Sequence, residues 1–121
     1  ALKILLVDDD PLLLRSLSET LATEGHSVFT AAGGGEGIEA FRSALSAEVF
    51  DVVITDLGMP EVDGRLVAAA VKAASPGTPV VMLTGWGRRM QEEGECPPHV
   101  DHLLSKPPRL ETLRAVFRTL D

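Results

Sequence analysis

One cysteine stands in the 121 residues, Cys96, so no disulfide can form within the chain. No Cys or His pair has the spacing of a zinc site, and His26, His99 and His102 are scattered with none beside a nucleophile. A charged-then-apolar leader is missing, as is any apolar run of about 18 residues, so a membrane span is not expected. Basic residues are few: 11 against 18 acidic, a formal net charge of −7. Such a chain is soluble and repelled by polyphosphate backbones, and Arg88-Arg89 is too short to make a nucleic-acid patch. Gly33-Gly34-Gly35-Glu36-Gly37 lacks the spaced third glycine of a dinucleotide fingerprint and the Gly-Lys-Ser/Thr of a phosphate loop, and reads as a flexible helix start. What remains is a single domain in a reducing, cytoplasmic setting. Its length suffices to bury roughly two-thirds of the unfolded surface without a disulfide or structural metal.

The hydrophobic pattern alternates between two periods. Leu2–Val7, Ser27–Ala31, Val52–Thr55, Pro79–Leu83 and His102–Leu104 are short apolar or β-branched runs bounded by turn residues, and predict five strands. Helical spacing fills the intervals: 12–23 with Leu13, Leu17 and Leu21 on one face, 35–46 with Ile38, Phe41 and Leu45, and 64–74 with Leu66, Ala70 and Val71. A fourth helix is expected over 88–94. A fifth, over 109–120, carries Leu110, Leu113, Val116, Phe117 and Leu120. Strands alternating with helices predict a doubly wound parallel α/β sheet covered on both faces. The first residue is Ala rather than Met, a strand begins at once, and the chain stops within a helical pattern. Residues 1–121 are therefore expected to be one domain excised from a longer protein.

In open parallel sheets ligands bind outside the carboxyl ends of the strands. The first strand runs into Asp8-Asp9-Asp10-Pro11 and the third into Asp56, followed by Leu57-Gly58-Met59-Pro60. The fourth ends at Thr84 and the fifth runs through Ser105 into Lys106-Pro107. Each has an ordinary reading: Asp10 as a helix N-cap before Pro11, Asp56 as a turn starter, Thr84 as a cap, Lys106 as a surface amine. A cap does not account for three acids in a row, since like charges repel unless a cation joins them. Asp8, Asp9 and Asp56, with the backbone carbonyl of Gly58, offer hard oxygen ligands suited to Mg²⁺. In phosphoryl chemistry Asp56 would be the nucleophile, Lys106 a second positive charge, and the Thr84 hydroxyl a donor to a phosphoryl oxygen.

These motifs resemble, over essentially the full length, the receiver domains of two-component response regulators. The matching pieces are Ile4–Pro11, Val53–Pro60 with Asp63-Gly64 behind it, Val81–Gly85 and Leu104–Pro107. The resemblance implies a flavodoxin-like strand order 2-1-3-4-5 with five helices. It implies that Asp56 accepts a phosphoryl group from a partner histidine kinase or histidine phosphotransfer domain, Asp8 and Asp9 hold Mg²⁺, Thr84 follows the phosphoryl group and Lys106 pairs with it. The domain would then catalyse its own phosphorylation and dephosphorylation without turning over a separate substrate. The resemblance further implies a cis bond at Lys106-Pro107 and an output face formed by the fourth helix, fifth strand and last helix, here with Met90, Leu103, Arg109 and Leu113. Such a face would serve a homodimer or an output domain in the same chain.

Departures are as informative. Leu103 stands where the family usually has Phe or Tyr, which puts the threonine-aromatic coupling in question as the output route. Trp86 and Gly58 flank the phosphoryl site, Trp86 as a shield against water or as surface packing on the fourth helix, Gly58 as a gap opposing a shield. Two alternatives stand beside the switch: an interaction module that is not phosphorylated, and a Mg²⁺-dependent phosphohydrolase. The latter typically has a second Asp two residues past its nucleophile, where this chain has Gly58. Thr84-Gly85-Trp86-Gly87 and Lys106–Leu110 are similar to receivers of hybrid sensor histidine kinases, the parent preferred over a regulator with a DNA-binding output domain.

Overall fold

The computed structural model describes residues 1–85 and 97–120. Five strands, β1 (Lys3–Val7), β2 (Ser27–Ala31), β3 (Val52–Asp56), β4 (Val80–Thr84) and β5 (His102–Ser105), form one sheet in the order β2-β1-β3-β4-β5, every pairing parallel. Four helices are present among the described residues: α1 (Pro11–Thr23), α2 (Gly34–Ala44), α3 (Gly64–Ala74) and α4 (Leu110–Arg118). The helix expected over 88–94 lies outside the described residues, as do Trp86, Met90 and Cys96.

Side chains alternate across the strands, as the two-residue strand period requires. Ile4, Leu6, Val52, Ile54, Val81 and Leu83 point to one face, where α1 and α4 cover them through Leu14, Leu17, Leu21, Leu113, Val116 and Phe117. Leu5, Val7, Val53 and Val80 point to the other, against Phe41 of α2 and Val67, Ala68 and Val71 of α3. Near-continuous apolar strands are the expected signature of a sheet buried on both sides.

Helix starts follow local chemistry. The Asp10 carboxylate accepts from the Leu12 and Leu13 amides, and Pro11 occupies the first helical position, where its missing N–H costs nothing. Asp63 caps α3 the same way, accepting from Arg65 and Leu66. After α1, Gly25 turns the chain at φ 95°.

Two helix faces differ in phase from the sequence expectation. On α1 the buried residue of the first turn is Leu14, with Leu13 half-buried beside it. On α3 Val67, Ala68 and Val71 face the sheet while Leu66 is 53% exposed; α2 keeps the expected face through Ile38 and Phe41 but ends at Ala44, so Leu45 lies past the helix. In both cases adjacent apolar residues offered two phases, and packing against the sheet selects one. Strand ends also move: β3 and β4 extend to include Asp56 and Thr84, and β5 includes Ser105, so the chemical groups sit on the ladder itself.

Candidate functional site

Register brings the strand ends together. Val7 pairs with Thr55, so Asp8 and Asp56, the next residues, lie side by side at the tips of β1 and β3. Asp56 pairs with Leu83, which places Thr84 one step farther along β4, and Thr84 pairs with Ser105. The ladder continues past the strands. The Asp8 amide donates to Ala31 O at 3.1 Å, the Leu57 amide to Leu83 O at 2.9 Å, and the Lys106 amide to Thr84 O at 3.0 Å. These bonds fix the backbones of the acidic, hydroxyl and basic members relative to one another.

Three carboxylates converge there. One oxygen each from Asp8, Asp9 and Asp56 lies within 4.8 Å of the others. Asp8 is wholly buried, Asp56 and Thr84 nearly so, and Asp9 is exposed. Asp8 Oδ1 accepts from the Asp10 amide at 2.8 Å. The Lys106 ammonium reaches 3.0 Å from Asp8 Oδ2 and 3.4 Å from Asp56 Oδ2. Its approach to Asp8 Oδ2 lies off the hydrogen-bonding direction, so that buried oxygen has a counter-charge but no hydrogen bond. Asp10 is occupied as the α1 cap, which separates it from its two neighbours.

Electrostatics follow from this crowding. Burial, then the neighbouring Asp8 charge, raises the Asp56 carboxyl above the ordinary carboxylate range, and Asp9 adds to the rise; Lys106 opposes it. Burial works against the Lys106 ammonium, but its close approach to Asp8 and the charges of Asp56 and Asp8 outweigh this and hold it above the usual lysine value. Three carboxylates facing one ammonium leave two formal negative charges, the deficit one divalent cation would fill. All-oxygen donors, one of them buried without a hydrogen bond, fit a hard cation such as Mg²⁺.

The structure thus brings Asp8, Asp9, Asp56 and Lys106 together, with Thr84 buried on the same rim. Gly58 lies exposed in the β3–α3 loop, two residues beyond Asp56. The peptide bond Lys106-Pro107 is cis. Leu103 is buried against Met82.

Sequence reasoning missed the glycine contacts. A Cβ on Gly64 would lie 2.3 Å from the Asp56 carbonyl oxygen, so the start of α3 must be glycine for the helix to approach β3 so closely. Gly37 approaches Val7, one residue before Asp8, where a Cβ would meet Val7 Cγ2 at 2.7 Å. The glycine-rich stretch does start a helix, but two of its members are packing contacts and the expected flexibility is not its main use. His26 is also structural: its Nδ1 accepts from the Leu2 amide at 3.0 Å and its ring meets Phe117 edge-on.

The sequence profile of the response regulator receiver domain matches residues 4–118. The chain belongs to this family. Among its relatives, the transcriptional regulatory protein GlrR of Escherichia coli is 46% identical over 84 residues, 69% of this chain and 18% of GlrR. The transcriptional regulatory protein TcrA of Mycobacterium tuberculosis is 33% identical over 118 residues, 98% of this chain and 45% of TcrA. The chain therefore spans less than half the length of either relative. Among solved structures, the response regulator TrrA of Thermotoga maritima in complex with Mg(2+)-BeF superimposes with a TM-score of 0.84, 26% identity and coverage of 100% of both chains. The receiver fold, its strand order and its place among two-component response regulators are thereby established. No helix among the described residues is long and apolar enough to cross a membrane.

Proposed function

We propose that this receiver is a phosphorylation switch in which Asp56 takes a phosphoryl group from a phosphohistidine of a partner kinase or histidine phosphotransfer domain. The observation that carries the reading is the pairing of one ammonium, Lys106, with two crowded carboxylates, Asp8 and Asp56, at adjacent strand tips. The Mg²⁺-BeF complex of TrrA, a protein of the same fold, supports it.

Asp8, Asp9 and Asp56, with the Gly58 carbonyl, would hold Mg²⁺, which when bound supplies positive charge to the phosphoryl oxygens. The chain's own groups do the remainder. An Asp56 carboxylate oxygen attacks phosphorus, the P–N bond to the donor imidazole breaks, and its electron pair returns to the ring nitrogen, which takes up a proton from water. Lys106 neutralises the acyl phosphate, whose charge of up to about two units replaces the single charge of the Asp56 carboxylate. The Thr84 hydroxyl, carried one step beyond Asp56, donates to a phosphoryl oxygen in the modified state. Any output requires that two arrangements of the rim hold the phosphoryl group unequally.

Reversal needs only water at the acyl phosphate, so the domain acts on itself and turns over no separate substrate. Gly58, in place of a second acid, speaks against a freestanding phosphohydrolase. The cytoplasm, where phosphohistidine donors are charged, is the compartment proposed. Both named relatives are transcriptional regulatory proteins, which favours a transcriptional output segment in the parent chain; a hybrid sensor kinase parent would instead show a histidine kinase core beside the receiver. The test is intact mass after incubation with Mg²⁺ and a small phosphodonor. One added phosphoryl group, lost with Asp56→Asn and with chelator, is the expected result. No adduct and no beryllofluoride complex, under conditions that modify a competent receiver, would favour an unphosphorylated interaction module.

A further inference from the structure

Gly33, Gly34 and Gly35 are consecutive, yet packing treats them differently. A Cβ on Gly33 or Gly35 would meet nothing within 4 Å. On Gly34 it would lie 2.0 Å from the Val62 carbonyl oxygen and 2.8 Å from Val62 Cγ1. A backbone carbonyl cannot step aside as the end of a flexible side chain can.

Val62 belongs to the loop of residues 57–63, which leaves Asp56 and carries Gly58. That loop is tightly wound. The Val62 amide donates to Pro60 O at 2.7 Å, and Glu61 between them has φ 65°, the rarer and strained hand of a three-residue turn. At its far end the Gly64 amide donates to Leu57 O at 2.9 Å while the Gly64 Cα faces the Asp56 carbonyl. The loop is thus seated between two glycine contacts, one from α3 that follows it and one from α2, an element with no member in the acid cluster.

We infer that Gly34 is a positioning residue for the acid site: the first turn of α2 seats the 57–63 loop through Val62, and the loop in turn places the backbone of Asp56 and Gly58. Helix propensity points the other way, since alanine is favoured over glycine inside a helix, so only the Val62 contact calls for glycine at 34. The inference rests on the Mg²⁺ reading for one of its two readouts alone.

The experiment compares Gly34→Ala with Gly35→Ala. Backbone amide shifts are recorded without metal, and Mg²⁺ affinity is measured by titration calorimetry, both below the melting temperature. Gly34→Ala is expected to shift the amides of 57–64 and to weaken Mg²⁺ by about tenfold or more, because Mg²⁺ tolerates little displacement of its ligands. Gly35→Ala is expected to leave both unchanged and to melt at or above the parent temperature. Amide shifts confined to α2 in a folded Gly34→Ala protein would overturn the inference. If that variant does not fold, Val62→Ala decides: it adds no volume, removes the methyl resting on Gly34, and should speed amide exchange over 58–63, whereas unchanged exchange there contradicts the inference. Should the parent protein bind no Mg²⁺, the proposed function fails while the loop shifts still judge Gly34.

Discussion

Lys106, just past β5, ion-pairs Asp8, just past β1, at 3.0 Å, although β3 and β4 lie between those strands. At an ordinary spacing the two strand axes are about 14 Å apart. The lysine therefore reaches over the tips of both intervening strands and lies across the site. On its way it passes Asp56 at 3.4 Å, so one ammonium compensates two carboxylates.

Removing that ammonium has a predictable cost. Lys106→Met leaves Asp8 buried without a counter-charge, and the metal-free domain should lose about 1–3 kcal/mol. This is less than the ~3–5 kcal/mol of a fully buried pair, because solvent reaches the lysine side chain, 25% exposed. Mg²⁺ should restore more stability to this variant than to the parent, since it supplies the missing charge. Thermal melts with and without Mg²⁺ measure both effects, and phosphorylation of the variant should be strongly slowed.

Asp56 works in the opposite sense. Its carboxyl is raised by burial and by Asp8, so ionisation of Asp56 weakens the metal-free fold: the associated stability is present at low pH and is lost as pH rises through the folded value. Asp56→Asn carries no such charge. The variant should be the more stable at neutral pH, by on the order of 1 kcal/mol, with the gap closing on acidification. Melting temperature against pH in chelator, for both proteins, gives the comparison.

His26 contributes a dependence of its own. Burial holds the imidazole below its usual value, and the neutral ring is needed as acceptor for the Leu2 amide. A depressed histidine favours the fold above its unfolded value, about 6.5, and that contribution is lost as pH falls through the folded one. The stability slope between neutral pH and about pH 5 should therefore be shallower in His26→Gln than in the parent. Denaturant unfolding at several pH values tests this; equal slopes would show that His26 does not titrate on unfolding.

The three consecutive acids should separate by role. Asp10→Ala loses the α1 cap and about 1 kcal/mol, with Mg²⁺ affinity near that of the parent. Asp8→Asn and Asp9→Asn should weaken Mg²⁺ without loss of the cap. Calorimetric titration paired with melting curves distinguishes the two kinds of effect.

Much of this was legible beforehand because strand-end chemistry is local. Apolar runs ending in Asp8, Asp56, Thr84 and Lys106 identify a rim, and the parallel register then brings the groups together. Helix phase was less legible: Leu12, Leu13 and Leu14 are consecutive, as are Leu66 and Val67, and only tertiary packing selects which of each faces the sheet. The glycines were least legible. Gly34 meets Val62 and Gly37 meets Val7, partners about thirty residues away in sequence, so spacing alone carries no trace of the contact.

The most direct test of the account is chemical identification of the phosphorylated residue. The domain is charged by a phosphodonor with Mg²⁺, reduced with borohydride, which converts an aspartyl phosphate to homoserine, and sequenced by tandem mass spectrometry. Homoserine at position 56 and at no other aspartate is the expected result. Homoserine elsewhere, or none when a competent receiver treated in parallel is converted, would contradict it.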